Sequence, residues 1–176
     1  MKLKFIAIFV FVFMAACAKM HYINQPNIDF SLHQKSYIDD FYLNGYIIDN
    51  VDYLVDYLQG KILVTSDFIN VNNYFQGPDT LFKPDTRISL TVLSIMEQAS
   101  NSNNCLEYSV SAEIECTVAF LALDTTWANE VTFITSGNAS VTECSGGNIY
   151  LAEVRENSVK AALDEIANYF LKEFRL

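Results

Sequence analysis

Leu106-Glu107-Tyr108-Ser109-Val110-Ser111-Ala112-Glu113-Ile114-Glu115-Cys116-Thr117-Val118-Ala119-Phe120 alternates apolar and polar side chains over its whole length. Leu106, Tyr108, Val110, Ala112, Ile114, Cys116, Val118 and Phe120 share one parity, while Glu107, Ser109, Ser111, Glu113, Glu115 and Thr117 hold the other. A period of two puts one set on each side of a long strand, so one face is buried and the other tolerates water. Such a face needs partner strands beside it and a layer above it. Upstream, Ile88, Leu90 and Val92 alternate with Ser89 and Thr91, predicting a strand over Arg87 to Glu97 and a polar turn at Ser100 to Asn104. Downstream, Asp124 to Asn129 reads as a turn holding Trp127, and Glu130 to Val141 as a returning strand with Val131, Phe133 and Ile134. Gly137 within it reads as a bulge or an end.

The covering layer is read from helical spacing. Ile47, Ile48, Val51, Leu54, Val55 and Leu58 recur at intervals of three and four within Asn44 to Gln59, with Asp49, Asp52 and Asp56 on the other side and Gly60 as the stop. The aspartates lack a His or turn Gly to complete a metal cage and read as a solvated face. Near the carboxy terminus Val159, Leu163, Ile166, Phe170 and Phe174 line a second helix, with Asn157 or Ser158 as its cap and Lys160 four residues before Asp164. Asn148 to Val154 fits either a short strand or the lead into that helix. Lys61 to Val71 reads as a strand with an irregularity at Ser66 and Asp67. The fold class is α+β: an antiparallel sheet of four or five strands with two amphipathic helices on one face. Residues 72–85, with Gly77-Pro78-Asp79 and Lys83-Pro84-Asp85, read as a loop exposing Tyr74, Phe75, Leu81 and Phe82. Those four and Trp127 are the candidate contact residues.

Composition limits what such a domain can do. The 176 residues are 51% hydrophobic and carry 21 acidic against 11 basic side chains, a formal charge of -10. Disorder and a collagen repeat are excluded, and a phosphate backbone would be repelled, so nucleic acid is not an expected partner. The sequence contains no GxSxG, Walker loop, HExxH or glycine fingerprint, and its two histidines, His21 and His33, fall outside the predicted body. No enzymatic activity, metal or cofactor is expected.

The amino terminus addresses the chain to a membrane. Lys2 and Lys4 precede an apolar run from Phe5 to Ala16, the layout of a signal peptide over residues 1–16 and too short for a permanent span at ~1.5 Å per residue. Met14-Ala15-Ala16-Cys17 resembles the lipobox of bacterial lipoproteins, with Met14 where Leu is usual. That resemblance makes Cys17 the acylated first residue. Ala18 in place of the inner-membrane retention Asp then implies an outer-membrane lipoprotein facing the periplasm. Ala16-Cys17-Ala18 also fits ordinary signal peptidase, which would leave a soluble periplasmic chain. Removal of the leader leaves nine basic and twenty-one acidic side chains. Residues 17–37 read as a lipid-anchored tether, within which Ile28, Phe30 and Leu32 could instead form an edge strand, and 38–176 as one domain.

Three cysteines then sit in an oxidising compartment. Cys116 points with its strand's apolar face. Folding the hairpin near Thr126 brings Cys144 toward the strand start at Cys105, which predicts a Cys105 to Cys144 bridge, with other pairings left open.

Cys17, the helix ending at Gly60, Arg87-Ile88-Ser89-Leu90-Thr91-Val92 and the closing helix through Ala161-Ala162-Leu163 together resemble small Gram-negative outer-membrane lipoproteins of the α/β envelope-assembly type. These include auxiliary lipoproteins of ABC-type transport and flagellar or secretin-associated lipoproteins. Lys61-Ile62-Leu63-Val64-Thr65-Ser66 after the helix is particularly similar to the flagellar group. The resemblance covers residues 38–176 and implies an accessory subunit that docks onto other envelope proteins, with homo-oligomerisation left open. The alternative is a carrier holding a lipid or small apolar ligand between helices and sheet.

Overall fold

The computed structural model describes residues 21–24, 35–65, 69–70, 86–102, 104–121, 127–144 and 148–173. Their order is β1 (His21–Asn24), β2 (Lys35–Tyr42), α1 (Val51–Thr65), β3 (Ile69–Asn70), β4 (Thr86–Ser102), β5 (Cys105–Leu121), β6 (Trp127–Glu143) and α2 (Leu151–Glu173). The class is α+β. One sheet has the order β1-β6-β5-β4-β2-β3.

Strand β5 sits at the centre, paired antiparallel with β4 from Ser102↔Cys105 to Thr86↔Phe120 and with β6 from Leu106↔Glu143 to Leu121↔Trp127. Its apolar parity is buried from Tyr108 to Phe120; Leu106, at the strand's end, is exposed. The sheet is mixed, which corrects the expectation of an antiparallel one: β2 runs parallel to both β4 and β3. A parallel pair needs a crossover, and α1 lies in the connection between β2 and β4.

Strand β2 also corrects the tether reading, since Lys35–Tyr42 is in the sheet and His21–Asn24 pairs with β6 at Thr132 to Ile134. A bulge hides β2 from a search for alternation. Ile38 pairs with Ile88, but Asp40 pairs with Ser89, so Asp39 is passed over and Phe41 returns to the core side three residues after Ile38. The alternative strand at Ile28, Phe30 and Leu32 lies outside the described residues.

Helix α1 begins and ends later than its spacing predicts. Asn44 (φ 52°), Gly45 (φ 83°) and Asn50 (φ 58°) adopt left-handed backbone that no right-handed helix contains, so the helix starts at Val51. Gly60 lies inside it, because Leu54, Leu58 and Ile62 form a continuous stripe no more than 2% exposed, and that burial outweighs the ~1 kcal/mol propensity penalty of a glycine. Thus Lys61–Thr65 is helical where a strand is predicted, and β3 is only Ile69–Asn70. A methyl group added at Gly60 would meet no atom within 4 Å. Gly60→Ala should therefore raise stability by about 0.5 to 1 kcal/mol, seen as a higher urea midpoint at unchanged slope.

Helix α2 likewise starts before its apparent cap. It opens at Leu151, and Ser158 is fully buried inside it, with its hydroxyl donating to the Arg155 carbonyl at 2.7 Å. Val159, Leu163, Ile166 and Phe170 join Leu54, Leu58 and Ile62 of α1 and the inner residues of β4, β5 and β6 in one buried cluster.

Candidate functional site

Half of the long strands extends past the parts that β1 and β2 cover. Strand β2 stops pairing at Tyr42↔Thr91, and β1 reaches only Ile134 on β6. Beyond those points β4, β5 and β6 continue as a three-stranded arm, from Val92 to Ser102, Cys105 to Ile114 and Thr135 to Glu143. Neither outer edge of the arm has a strand beside it among the described residues.

A bulge aims the side chains of the arm. Val92 pairs with Ile114 and Ser94 with Glu113, so Leu93 has no residue opposite it and its carbonyl accepts from the Tyr46 hydroxyl at 3.5 Å. Past the bulge the parity of β4 flips, bringing Ile95 and Glu97 to the helix side, where Glu97 meets Tyr108 and Arg155 of α2. Tyr108, Val110 and Val154 form a small second core there, flanked by Ile95, Ala139, Val141 and Ile149. Arg155 foremost, then Tyr108, donate to Glu97 and hold its carboxyl below the ordinary carboxylate value. Burial, then the Glu97 carboxylate, pushes the Tyr108 phenol up.

A hollow of about 210 Å³ beside this group is lined by Gly45, Tyr46, Ile47, Ile95, Glu97 and Arg155. A wider one of about 420 Å³ lies on the arm and is lined in part by Met96, Gln98, Ser109, Ser111, Asn138 and Ser140. Ile47 (79% exposed), Tyr150 (73%), Met96 (54%), Leu106 and Leu151 put apolar surface on or beside the arm. A second polar group joins the helices: Tyr57 donates to Asp164 at 2.8 Å, and Lys61 lies 3.2 Å from the same carboxylate. Lys160 pairs with Glu156 at 2.7 Å and lies over the Tyr53 ring, which corrects the predicted pairing of Lys160 with Asp164.

The sequence-predicted residues are placed unevenly. Cys17, Tyr74, Phe75, Leu81 and Phe82 lie outside the described residues. Trp127 is the first residue of β6, paired with Leu121, and not part of a turn. Cys105 and Cys144 are joined by a disulfide, and Cys116 is free and fully buried, its thiol pushed far up by that burial. Among the described residues no three His, Cys, Asp or Glu side chains group to hold a metal. No described helix is long and apolar enough to cross a membrane.

No family model matches the chain, and no curated protein matches it by sequence. Solved structures give similarity in shape. The hypothetical protein CT253 of Chlamydia trachomatis is 12% identical with a TM-score of 0.47, over 78% of this chain and 98% of that one. A PelC dodecamer from Paraburkholderia phytofirmans is 6% identical with a TM-score of 0.45, over 88% and 97%. A candidate lipoprotein from Caulobacter crescentus is 11% identical with a TM-score of 0.40, over 76% and 87%. At these scores the likenesses support no functional reading.

The end of the arm was missed from sequence because Ser100 to Asn104 reads as a polar turn. Only pairing with Tyr108 to Cys105 makes Ala99 to Ser102 strand. The Glu97 group ties the arm to α2, and its strength depends on pH. Because the native value of Glu97 lies below the unfolded one, its contribution is complete above the ordinary value of 4.5 and is lost as pH falls through the native value. Glu97→Gln should cost about 1 kcal/mol near neutrality, given partial solvent screening. It should also flatten the acid limb of a plot of Tm against pH, and an unchanged acid limb would refute the role of this group.

Proposed function

We propose that this chain is a non-enzymatic lipoprotein, acylated at Cys17, that serves as an accessory subunit of a larger envelope assembly. The supporting observation is the β4 edge. From Val92 onward the outer side of β4 has no described strand beside it, and exposed Ile47 and Met96 lie alongside. Soluble monomers usually protect such an edge with charge or proline; this one has neither outward, since Glu97, the single charged residue between Val92 and Ser102, is engaged by Arg155 and Tyr108. An added strand from a partner protein would satisfy its backbone groups, with the neighbouring hollow taking a side chain. The Tyr74 to Phe82 segment and Trp127 are further contact candidates, and the anchor places the protein on the periplasmic side of the outer membrane.

The test is photo-crosslinking in the native membrane from Ser100, an exposed residue of β4. A carboxy-terminal tag recovers the adducts under mild detergent, and both proteins and lipids are identified. Stoichiometric adducts to one envelope protein, lost when the crosslinker is moved to exposed Asp56 on α1, are the expected result. Recovery as a lone chain holding a defined lipid besides its own acyl groups would overturn this reading and make the protein a carrier.

A further inference from the structure

The distance between anchor and sheet is short. Cys17 lies four residues before His21, the first residue of β1, and β1 is held by its antiparallel pairing at Ile134 and Phe133 of β6. Whatever path they take, four residues span at most about 14 Å. Acyl chains on Cys17 buried in a bilayer therefore keep β1 within that distance of the headgroups. Strands β1 and β6 form one margin of the sheet, while α1 packs against α2, β2 and β3 toward the opposite margin.

Low charge marks the same margin. From Val131 to Thr142 strand β6 has no charged residue, in a chain of formal charge -10. Its neighbour β5 in the arm, by contrast, carries Glu107 and Glu113. An anionic leaflet repels acidic protein surface, so the approach is least opposed where that surface is uncharged. Past Ile134 the outer edge of β6 has no described strand beside its backbone N–H and C=O groups, and exposed Asn138 and Ser140 stand on the adjoining sheet face, lining the hollow with Met96, Gln98 and Ser109. Amides, hydroxyls and backbone donors can hydrogen-bond to phosphate and ester oxygens.

We infer that the β1/β6 margin of the sheet is a membrane-apposed surface, with the β6 edge from Thr135 to Thr142 against the lipid headgroups. The inference rests on acylation at Cys17. It turns the β4 margin away from the bilayer, toward the space where a partner protein would approach.

The full chain, processed in a host that acylates lipoproteins, is reconstituted into vesicles of phosphatidylethanolamine and phosphatidylglycerol. A fluorophore is attached at Asn138→Cys, at Ser140→Cys as a second position, or at Asp56→Cys on α1. Acylation makes the Cys17 sulfur a thioether, Cys105 and Cys144 are bonded to each other and Cys116 is buried, so in the acylated chain the introduced thiol is the one labelled. A quencher carried on lipid headgroups should quench the labels at 138 and 140 several-fold more strongly than the label at 56. Equal quenching at all three, with intact mass showing acylated Cys17, would overturn the membrane-facing margin and leave the anchor standing. An intact mass without acyl groups and a chain that washes off the vesicles would overturn the anchor itself, and the margin with it.

Discussion

Replacing Gly137 with alanine should push α2 off the sheet. Gly137 lies mid-strand in β6, opposite Ala112, with regular register on both sides, so it marks neither a bulge nor an end. Its role comes from the helix above. A Cβ built there would stand 2.0 Å from the Ser158 carbonyl oxygen, 2.3 Å from the Ala162 nitrogen and 2.9 Å from the Ala161 carbonyl carbon. All three are backbone atoms of α2, which cannot rotate away as a side-chain end would. Ala112, Ser158 and Ala162, all 0% exposed, complete a contact of small residues that lets the helix approach this closely. Relieving the clash means moving the helix and opening the packing around Val159, Leu163 and Ile166, a cost of about 3 kcal/mol or more. Strand propensity predicts the opposite sign, since alanine suits a strand slightly better than glycine. A urea midpoint for Gly137→Ala equal to that of the parent would show that α2 does not cross here.

The Cys105–Cys144 disulfide should carry the second large effect. It joins the first residue of β5 to the residue after β6, closing the end of a pair whose last register is Leu106↔Glu143. The sequence separation is 39 residues, and the chain-entropy relation gives about 4 kcal/mol for a loop of that size. The double variant Cys105→Ser, Cys144→Ser should therefore melt lower by roughly 10 °C, taking the shift expected per kcal/mol for a domain of this size. Parent protein held in reductant should match it. Cys116 will not interfere, because burial keeps its thiol protonated and out of exchange. Identical melting of oxidised parent and double variant would exclude the bridge as a source of stability.

Where period and burial coincide, the sequence was legible. Strand β5 is the clearest case, since no bulge interrupts its apolar parity between Tyr108 and Val118, and the α2 stripe from Val159 to Phe170 repeats cleanly enough to be read. Reading failed where a bulge shifted the parity, as at Asp39, while the bulge at Leu93 left the strand legible and hid only the side that Glu97 takes. It also failed where a local signal pointed elsewhere: Gly60 looked like a stop, Ser158 like a cap and Ile62-Leu63-Val64 like a strand. Each signal is worth about 1 kcal/mol, less than the burial of one large apolar side chain, so packing overrode it. The candidate site lay beyond sequence reading for a related reason. Glu97 faces Arg155 only because the Leu93 bulge turned it inward, and the two residues are 58 apart in the chain.

By itself the sequence determined the α+β class, the central strand and the apolar stripes of both helices, and pointed to the Cys105 to Cys144 pairing, because each depends on a pattern carried by neighbouring residues or by one hairpin. Only the tertiary structure decided that β2 runs parallel to β4, that His21–Asn24 is tied to the sheet, that Gly137 is a contact with α2, and that the arm's edges have no strand beside them among the described residues. Those features depend on which distant segments meet, and contacts between distant segments leave no period in the chain.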